Sequence, residues 1–339
     1  MAISFIITTY NILPYIERCL QSVAQASRPG DEIILVDDGS DDGTAERVQA
    51  FADEGHFPDD VDFRPIYLGT NTIGGVGIGA NIGLNAALCE TIFFVDGDDW
   101  IDVAGFQKAR AYWHLHPADI LFTNYLEFNE TEQVTQYPAD TEFWVKLRTN
   151  VSFDALRHQA LSFIAAPWRK FYRRDFLEEH GLRFLEGDFF FEDNPFHWAV
   201  CMKARSIRFL DQVTCYHRVN RPGQTMASTG IELTAFFSHF ISILDGLAPD
   251  DYRHRLLAAQ WLLSNMSWHI PRLAAEAFYP YASAAARTLQ LIPEVLWSGD
   301  LTAEESGKPI WTIANRLRSG DVGGQMEDWH RQAMEQKMA

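Results

Sequence analysis

Apolar residues along the first hundred positions fall in short blocks, and the blocks alternate with stretches of helical spacing. Residues 3–8 form a continuous β-rich run, the pattern of a strand buried on both faces. Pro14 suits a helix start, and Tyr15, Cys19, Leu20 and Val23 follow at helical spacing. Pro29-Gly30-Asp31 breaks the chain before a second strand over 32–36, which ends at Asp37-Asp38-Gly39-Ser40. A helix begins over 44–51, and 63–68 predicts a third strand. The glycine-rich stretch 69–83 leads into a helix over 81–88, and 91–95 is a fourth strand ending at Asp96-Gly97-Asp98-Asp99. This alternation predicts an α/β fold with a mainly parallel sheet wrapped by helices. Ligands of such sheets sit at the carboxyl ends of the strands. Three of those ends carry residues 8–10, Asp37-Asp38 and residues 96–99, which places them around one crevice.

Farther along, 120–145 reads as strand and loop, and 163–185 mixes basic with aromatic residues. Glu192-Asp193 precedes a short helix over 194–202, and 207–210 and 213–216 read as two short strands. After Pro222-Gly223 the spacing becomes helical over 233–247, 252–268, 274–291 and 311–318. The expected boundary falls near 225–230, giving a domain of residues 1–228 and a helical region of residues 229–339. A chain of 339 residues fits two such units.

Composition narrows the function. With 47% hydrophobic residues the chain can bury a large core. Its 28 basic and 46 acidic side chains leave a net charge of −18, which argues against nucleic acid as a partner and against electrostatic binding to an anionic membrane. Residues 1–250 hold 36 of the acids against 19 bases, and residues 251–339 hold 10 against 9. The N-terminal apolar run has no basic flank and is too short for a signal peptide. No apolar run reaches the roughly 18–20 residues of a transmembrane segment. The four cysteines (Cys19, Cys89, Cys201, Cys215) are scattered, with no Cys-x-x-Cys pair, so reduced thiols and a cytoplasmic location are expected.

Each candidate site residue has a functional and a structural reading. Asp96 and Asp98, two positions apart on a strand-end turn, can present oxygens to one Mg²⁺ or Mn²⁺, or can cap the next helix. Asp38 can accept a hydrogen bond from a nucleobase N–H, while Asp41 or Asp42 can N-cap a helix. The glycines of residues 74–79 follow the third strand, and Ile82 stands where a dinucleotide fingerprint needs its third glycine. A loop beside a ligand fits them better than NAD. Glu192 and Asp193, among aromatic residues, suit a general base whose pKa burial raises, or a helix cap at Asp193. His217 can complete a metal site or be structural, and Arg218 and Arg221 can hold a diphosphate or lie on the surface.

In order along the chain, Ile6-Ile7-Thr8-Thr9-Tyr10-Asn11, Ile34-Leu35-Val36-Asp37-Asp38-Gly39-Ser40-Asp41-Asp42-Gly43-Thr44, Gly79-Ala80-Asn81-Ile82-Gly83-Leu84-Asn85-Ala86-Ala87 and Phe94-Val95-Asp96-Gly97-Asp98-Asp99 resemble family 2 glycosyltransferases of the GT-A fold. The segment from Trp168 through Lys170-Phe171-Tyr172-Arg173-Arg174 to Phe191-Glu192-Asp193 resembles the family's acceptor-side region. The likeness covers about residues 1–228. It implies a Rossmann-like nucleotide-sugar domain in which Thr8, Tyr10 and Asp38 hold the base and ribose. Asp96 would contact the ribose or share the metal, and Asp98 would be the main metal ligand. Asp193 would be the catalytic base with Glu192 beside it, and His217 would match a histidine that completes the metal site in some members. One departure is Ala80, where family members commonly carry an Arg before the Asn. Arg218 or Arg221 would then supply that cation, or the donor differs from the usual uridine type.

The implied reaction is metal-dependent, inverting transfer of a sugar from a nucleotide sugar, a UDP-sugar first, to a saccharide or lipid-linked acceptor in bacterial surface polysaccharide or glycoconjugate synthesis. Two other readings compete. A phosphatase with Asp96 as nucleophile and Asp98 as acid wants a small β-branched residue where Trp100 stands, and its motif usually lies on the first strand. A binding module that has lost catalysis finds its only hint in Ala80. Trp168, Phe189, Phe190 and Trp198 are candidates for stacking on an acceptor sugar or for the core. The helical region is expected to bind acceptor or form a homodimer. A peripheral contact at the inner face of the membrane through Trp261, Leu262 and Trp268 is the weaker alternative.

Overall fold

The computed structural model describes residues 1–188, 190–224 and 229–338, with side chains through residue 335. Phe189 lies outside them. The chain divides into two units, Met1–Gln224 and Thr225–Ala339.

The first unit begins with β1 (Ile3–Thr9), α1 (Leu13–Ala26), β2 (Glu32–Asp37), α2 (Thr44–Asp53), β3 (Asp62–Tyr67), α3 (Gly77–Ala86) and β4 (Thr91–Asp96). It continues with β5 (Trp100–Ile101), α4 (Val103–Leu115), β6 (Ile120–Asn129), β7 (Val134–Gln136), α5 (Thr141–Lys146) and α6 (Phe153–Ser162). The last elements are β8 (Lys170–Arg173), α7 (Arg174–Glu179), α8 (Asp193–Lys203) and β9 (Ile207–Val219). The strands form one sheet in the order β3-β2-β1-β4-β8-β6-β9-β5, with β7 on β6. The four strands β3, β2, β1 and β4 are parallel to their neighbours. Beyond β4 the sheet is mixed: β8 runs antiparallel to β4 and β6, and β9 runs parallel to β6.

The apolar runs form strands because both faces are covered. Every residue of β2 is buried. Phe5, Phe93, Phe106 and Phe171 pack together, with Phe5 and Phe106 ring centres 5.4 Å apart and Phe93 and Phe171 4.8 Å apart. Each such ring removed from water contributes roughly 1.5–3 kcal/mol. The amino ends of the strands are closed by satisfied acids. Asp31 takes both oxygens to Arg110 at 2.6 Å and accepts the N–H groups of Ile3 and Arg28. Glu32 is held by Ser4, Arg64 and the N–H groups of Leu88 and Cys89. Asp119, just before β6, accepts from Arg173 and from the N–H groups of Arg205 and Ser206.

Three stretches differ from the pattern-based expectation. Helix α3 starts at Gly77, four residues early, because tertiary contacts described below seat its glycine-rich first turn. The two short strands expected over 207–216 are one strand, β9, with a register irregularity opposite residues 123–125. Its polar centre, Asp211-Gln212, looked like a break, but Asp211 accepts a bond from Asn124 on the neighbouring strand. The end of 120–145, expected as strand and loop, begins α5, and α6 follows where no element was expected.

The second unit contains helices Ala235–Asp245, Tyr252–His269, Phe278–Leu289, Pro309–Arg318 and Val322–Met338. Leu262 is fully buried, which removes it from the expected membrane contact. Trp261 stacks on Phe236, and Arg272 lies 3.6 Å over Trp268. No helix among the described residues is long and apolar enough to cross a membrane.

Candidate active site

Parallel pairing sets the carboxyl ends of β1, β2 and β4 side by side: Thr9 is opposite Asp37, and Thr8 is opposite Asp96. The turn after β4 is drawn against β1 by the Gly97 N–H, which donates to Thr8 O at 3.0 Å. A Cβ on Gly97 would lie 2.5–2.9 Å from Ile12, Thr9 and Thr8, so only glycine lets this turn approach. The chain then enters β5, whose Trp100 and Ile101 pair with Tyr216 and Cys215 of β9. That pairing brings His217, Arg218 and Arg221 to the acidic turn.

Asp96, Asp98 and Asp99 each bring one carboxylate oxygen to a point where all three lie within 4.8 Å of one another. Burial and the neighbouring Asp99 and Asp98 push the Asp96 carboxyl well above its ordinary value. Asp99 accepts from His217 Nδ1 at 2.9 Å and from the Arg218 N–H at 2.7 Å. Burial opposes a charged imidazole at His217, but Asp99, with Asp98 and Asp96, outweighs it and lifts the group to about 9. Asp98 pairs through its carboxylate with Arg221.

The basic candidates at this turn all have protein partners. His217 faces Asp99 through Nδ1 and stacks on Trp168 at 4.8 Å, and the close carboxylate group does not include it. Arg218 is buried: its Nε donates to Asp98 O at 2.8 Å, and the same guanidinium binds Glu130 and lies 4.6 Å over Tyr15. Arg218 thus clamps the turn. Of the two candidate cations, Arg221 is the one on an acidic side chain of the turn. Ala80 is buried in α3.

Asp38 accepts from the Thr72 N–H and hydroxyl at 2.9 Å and from Asn71 at 3.1 Å, so it pins the loop after β3. Asp37, behind it, is buried and accepts from Thr9 and Ser40. Asp42 accepts from the N–H groups of Leu13 and Thr44, which ties the starts of α1 and α2 together. Thr8 packs beside Gly79, and Tyr10 is 47% exposed at the rim.

Helix α8 begins at Asp193. Burial raises the Asp193 carboxyl and the buried Lys170 partly counters it, while Asn194 donates to Asp193 at 3.0 Å. The Asp193 charge is felt at Asp96, which links the two acidic groups electrostatically. Lys170 donates to the carbonyls of Ala165 and Ala166 and is lowered by burial to about 7. Glu192 is buried and accepts from the Gly77 N–H at 2.5 Å. Burial lifts its carboxyl to about 7. Trp168 and Trp198 are buried, which places them in the core and not on an acceptor.

Sequence reasoning singled out neither Asp99 as the partner of His217 nor Lys170 as a buried cation that acts on Asp193. Adjacency within Asp98-Asp99 was the available signal for the first. A lysine inside the run Arg169-Lys170-Phe171-Tyr172 was the signal for the second.

The family model described as glycosyl transferase family 2 matches residues 4–181. This chain belongs to glycosyl transferase family 2. Among its relatives, the uncharacterized glycosyltransferase EpsJ of Bacillus subtilis is 31% identical over 219 residues, 64% of this chain and 61% of that protein. The chain therefore spans less than two thirds of that relative. Residues 1–349 of Staphylococcus aureus TarS, solved with UDP-GlcNAc, superpose with a TM-score of 0.76 at 22% identity, covering 98% of this chain and 92% of that one. The mannosyltransferase PcManGT of Pyrobaculum calidifontis, solved with GDP-Man and Mn²⁺, gives 0.58 at 20% identity over 94% and 86%. These likenesses establish the GT-A type fold for the family 2 chain.

Proposed function

We propose that this family 2 member transfers a sugar from a nucleotide-sugar donor to an acceptor hydroxyl with inversion at the anomeric carbon. The observation that carries this reading is the meeting, around one crevice, of the β1, β2 and β4 ends, the acidic turn and Asp193. Thr8, Tyr10 and Asp38, with the loop Asp38 pins, frame the nucleoside. The hard, clustered oxygens of Asp96 and Asp98 fit a divalent cation such as Mg²⁺ or Mn²⁺. When bound, such an ion neutralises charge on the leaving diphosphate. Arg221, already at Asp98, adds a cation on that side and compensates for Ala80. His217 orients Asp99 and holds the turn.

Asp193 receives the proton of the acceptor hydroxyl as that oxygen bonds to the anomeric carbon. The diphosphate oxygen departs with its electron pair from the opposite face, so no covalent sugar–enzyme intermediate is needed. A charged Lys170 favours the ionised form of Asp193 and partly counters burial. The TarS neighbour makes UDP-GlcNAc the first donor to try, and a saccharide or lipid-linked acceptor is the matching partner class. The helical unit serves acceptor binding or self-association in this reading.

Replacing Asp193 by Asn tests the base. UDP release from UDP-GlcNAc with Mn²⁺ should fall about 10²–10⁴-fold, while calorimetric donor affinity stays within a few-fold. Undiminished turnover in Asp193→Asn would refute the assignment.

A further inference from the structure

Glu192 stands next to the proposed base, yet its carboxylate is turned to a different part of the fold. It sits on the first turn of α3, 115 residues earlier in the chain, where it accepts the Gly77 N–H at 2.5 Å. The first N–H groups of a helix have no partner within the helix and carry partial positive charge, so a carboxylate is a strong acceptor for them. The seat is shaped by missing side chains. A Cβ at Gly75 would meet Glu192 Oε1 at 2.7 Å, Oε2 at 2.8 Å and Cδ at 3.1 Å. A Cβ at Gly77 would meet Leu185 O at 2.8 Å and Glu192 Cγ at 2.9 Å. This is why a stretch that reads as loop becomes the start of a helix.

The backbone on the other side of Glu192 is strained. Phe191 has φ +63°, a left-handed conformation that a bulky residue adopts only when its surroundings force it. The same turn is held by Asn194, whose Nδ2 bonds both Phe191 O and Asp193 Oδ1 at 3.0 Å. Glu192 is therefore the anchor, Phe191 the strained hinge, and Asp193 the group whose direction the two determine.

We propose that Glu192 is a positioning residue: its carboxylate, seated on the turn of Gly75 and Gly77, locks the strained 191–194 turn so that Asp193 faces the crevice. The donor-side glycine helix and the base-bearing helix are thereby joined through one side chain. This inference rests on Asp193 being the base.

The test is a double-mutant cycle between Gly75 and Glu192. Gly75 suits it because the three atoms nearest to a new Cβ there all belong to Glu192, whereas Gly77 also faces backbone. UDP or GDP release is followed with Mn²⁺ and the best substrate among UDP-GlcNAc, UDP-glucose and GDP-mannose. Glu192→Ala should lower kcat about 10²-fold with donor KM nearly unchanged, since a misplacement of about 1 Å costs that much. Gly75→Ala should lower kcat about tenfold alone and add nothing to Glu192→Ala, a coupling that marks direct interaction. Glu192→Gln, which keeps an acceptor for Gly77, should recover most of the rate. Independently of turnover, hydrogen exchange at the Gly77 amide should speed up in Glu192→Ala and stay slow in Glu192→Gln. Additive losses, an unchanged Gly77 amide, or a Gln variant as inactive as Ala would overturn the inference; the last would make Glu192 a proton-transfer group. Full activity in Asp193→Asn would defeat the underlying reading instead.

Discussion

The two ends of the parallel strands treat buried carboxylates in opposite ways. At the amino ends, Asp31, Glu32 and Asp119 each meet an arginine and at least two backbone N–H groups. At the carboxyl ends, Asp96, Asp98 and Asp99 crowd together, and Asp96 is pushed well above its ordinary value by burial and by its acidic neighbours. The first arrangement is complete and adds to stability. In the second, Arg221 and His217 each meet one acid, and Asp96 is left among like charges that disfavour its ionised form, as is common at functional sites. Net charge cannot tell these two fates apart, since both ends contribute acids to the same total of −18.

Breaking the amino end should give the largest effect on stability. Arg110→Met strands the fully buried Asp31 side chain, and removing one partner of a buried pair costs about 3–5 kcal/mol. Urea denaturation should show that loss, while donor affinity of the protein that remains folded is unchanged. A loss below about 1 kcal/mol would mean that the amino-end acids are not closed in the sense described.

Replacing a carboxyl-end acid should have the reverse signature. Asp96→Asn relieves like-charge repulsion, so the metal-free protein should be at least as stable as the unmodified one. Mn²⁺ at a hundredfold excess over Kd should stabilise the unmodified protein by about 2.7 kcal/mol, read as a higher melting temperature, and should stabilise Asp96→Asn less and Asp98→Asn not at all. Equal Mn²⁺ stabilisation in all three would remove the metal from this turn.

The smallest effect is a pH dependence at the amino end. Burial works to raise Asp119, but Arg173 and the Arg205 and Ser206 N–H groups more than offset it, so the folded value lies below the ordinary 3.8. Its stabilising contribution is present above 3.8 and is lost as the pH falls through the lower folded value. The stability gap between the unmodified protein and Asp119→Asn should therefore narrow on acidification below about 3.8. A gap that widens there would reverse the assigned sign.

Much of the fold was legible because its apolar runs are local. β1, β2 and β4 are continuous blocks that reach their strand ends at recognisable polar turns, and ordinary helical spacing marked α1 and α2. The misread elements depend on distant partners. The first turn of α3 reads as a loop because glycines are poor helix formers, until Glu192 and Leu185 crowd it. β9 reads as two strands because Asp211-Gln212 is polar, until Asn124 binds Asp211 from β6. Within the site, the residue types and their order were visible. The commitments of Arg218 to Glu130, of Asp38 to the loop at 71–72, and of Glu192 to Gly77 were not, because each partner lies 33 to 115 residues away.

The sequence alone determined which chemistry-bearing residues stand at strand ends and in what order, since strand periodicity and turn residues act over a few positions. That was enough to identify the α/β class, the family resemblance and the acidic turn. Tertiary structure decided which of the acids are neutralised and which are left crowded. It also separated the arginine that clamps the turn from the one paired with Asp98, and turned Glu192 away from Asp193 onto a helix start. The reason is physical: a charge buried in a protein is governed by whatever lies within a few ångströms of it, and those neighbours are assembled only when remote segments pack.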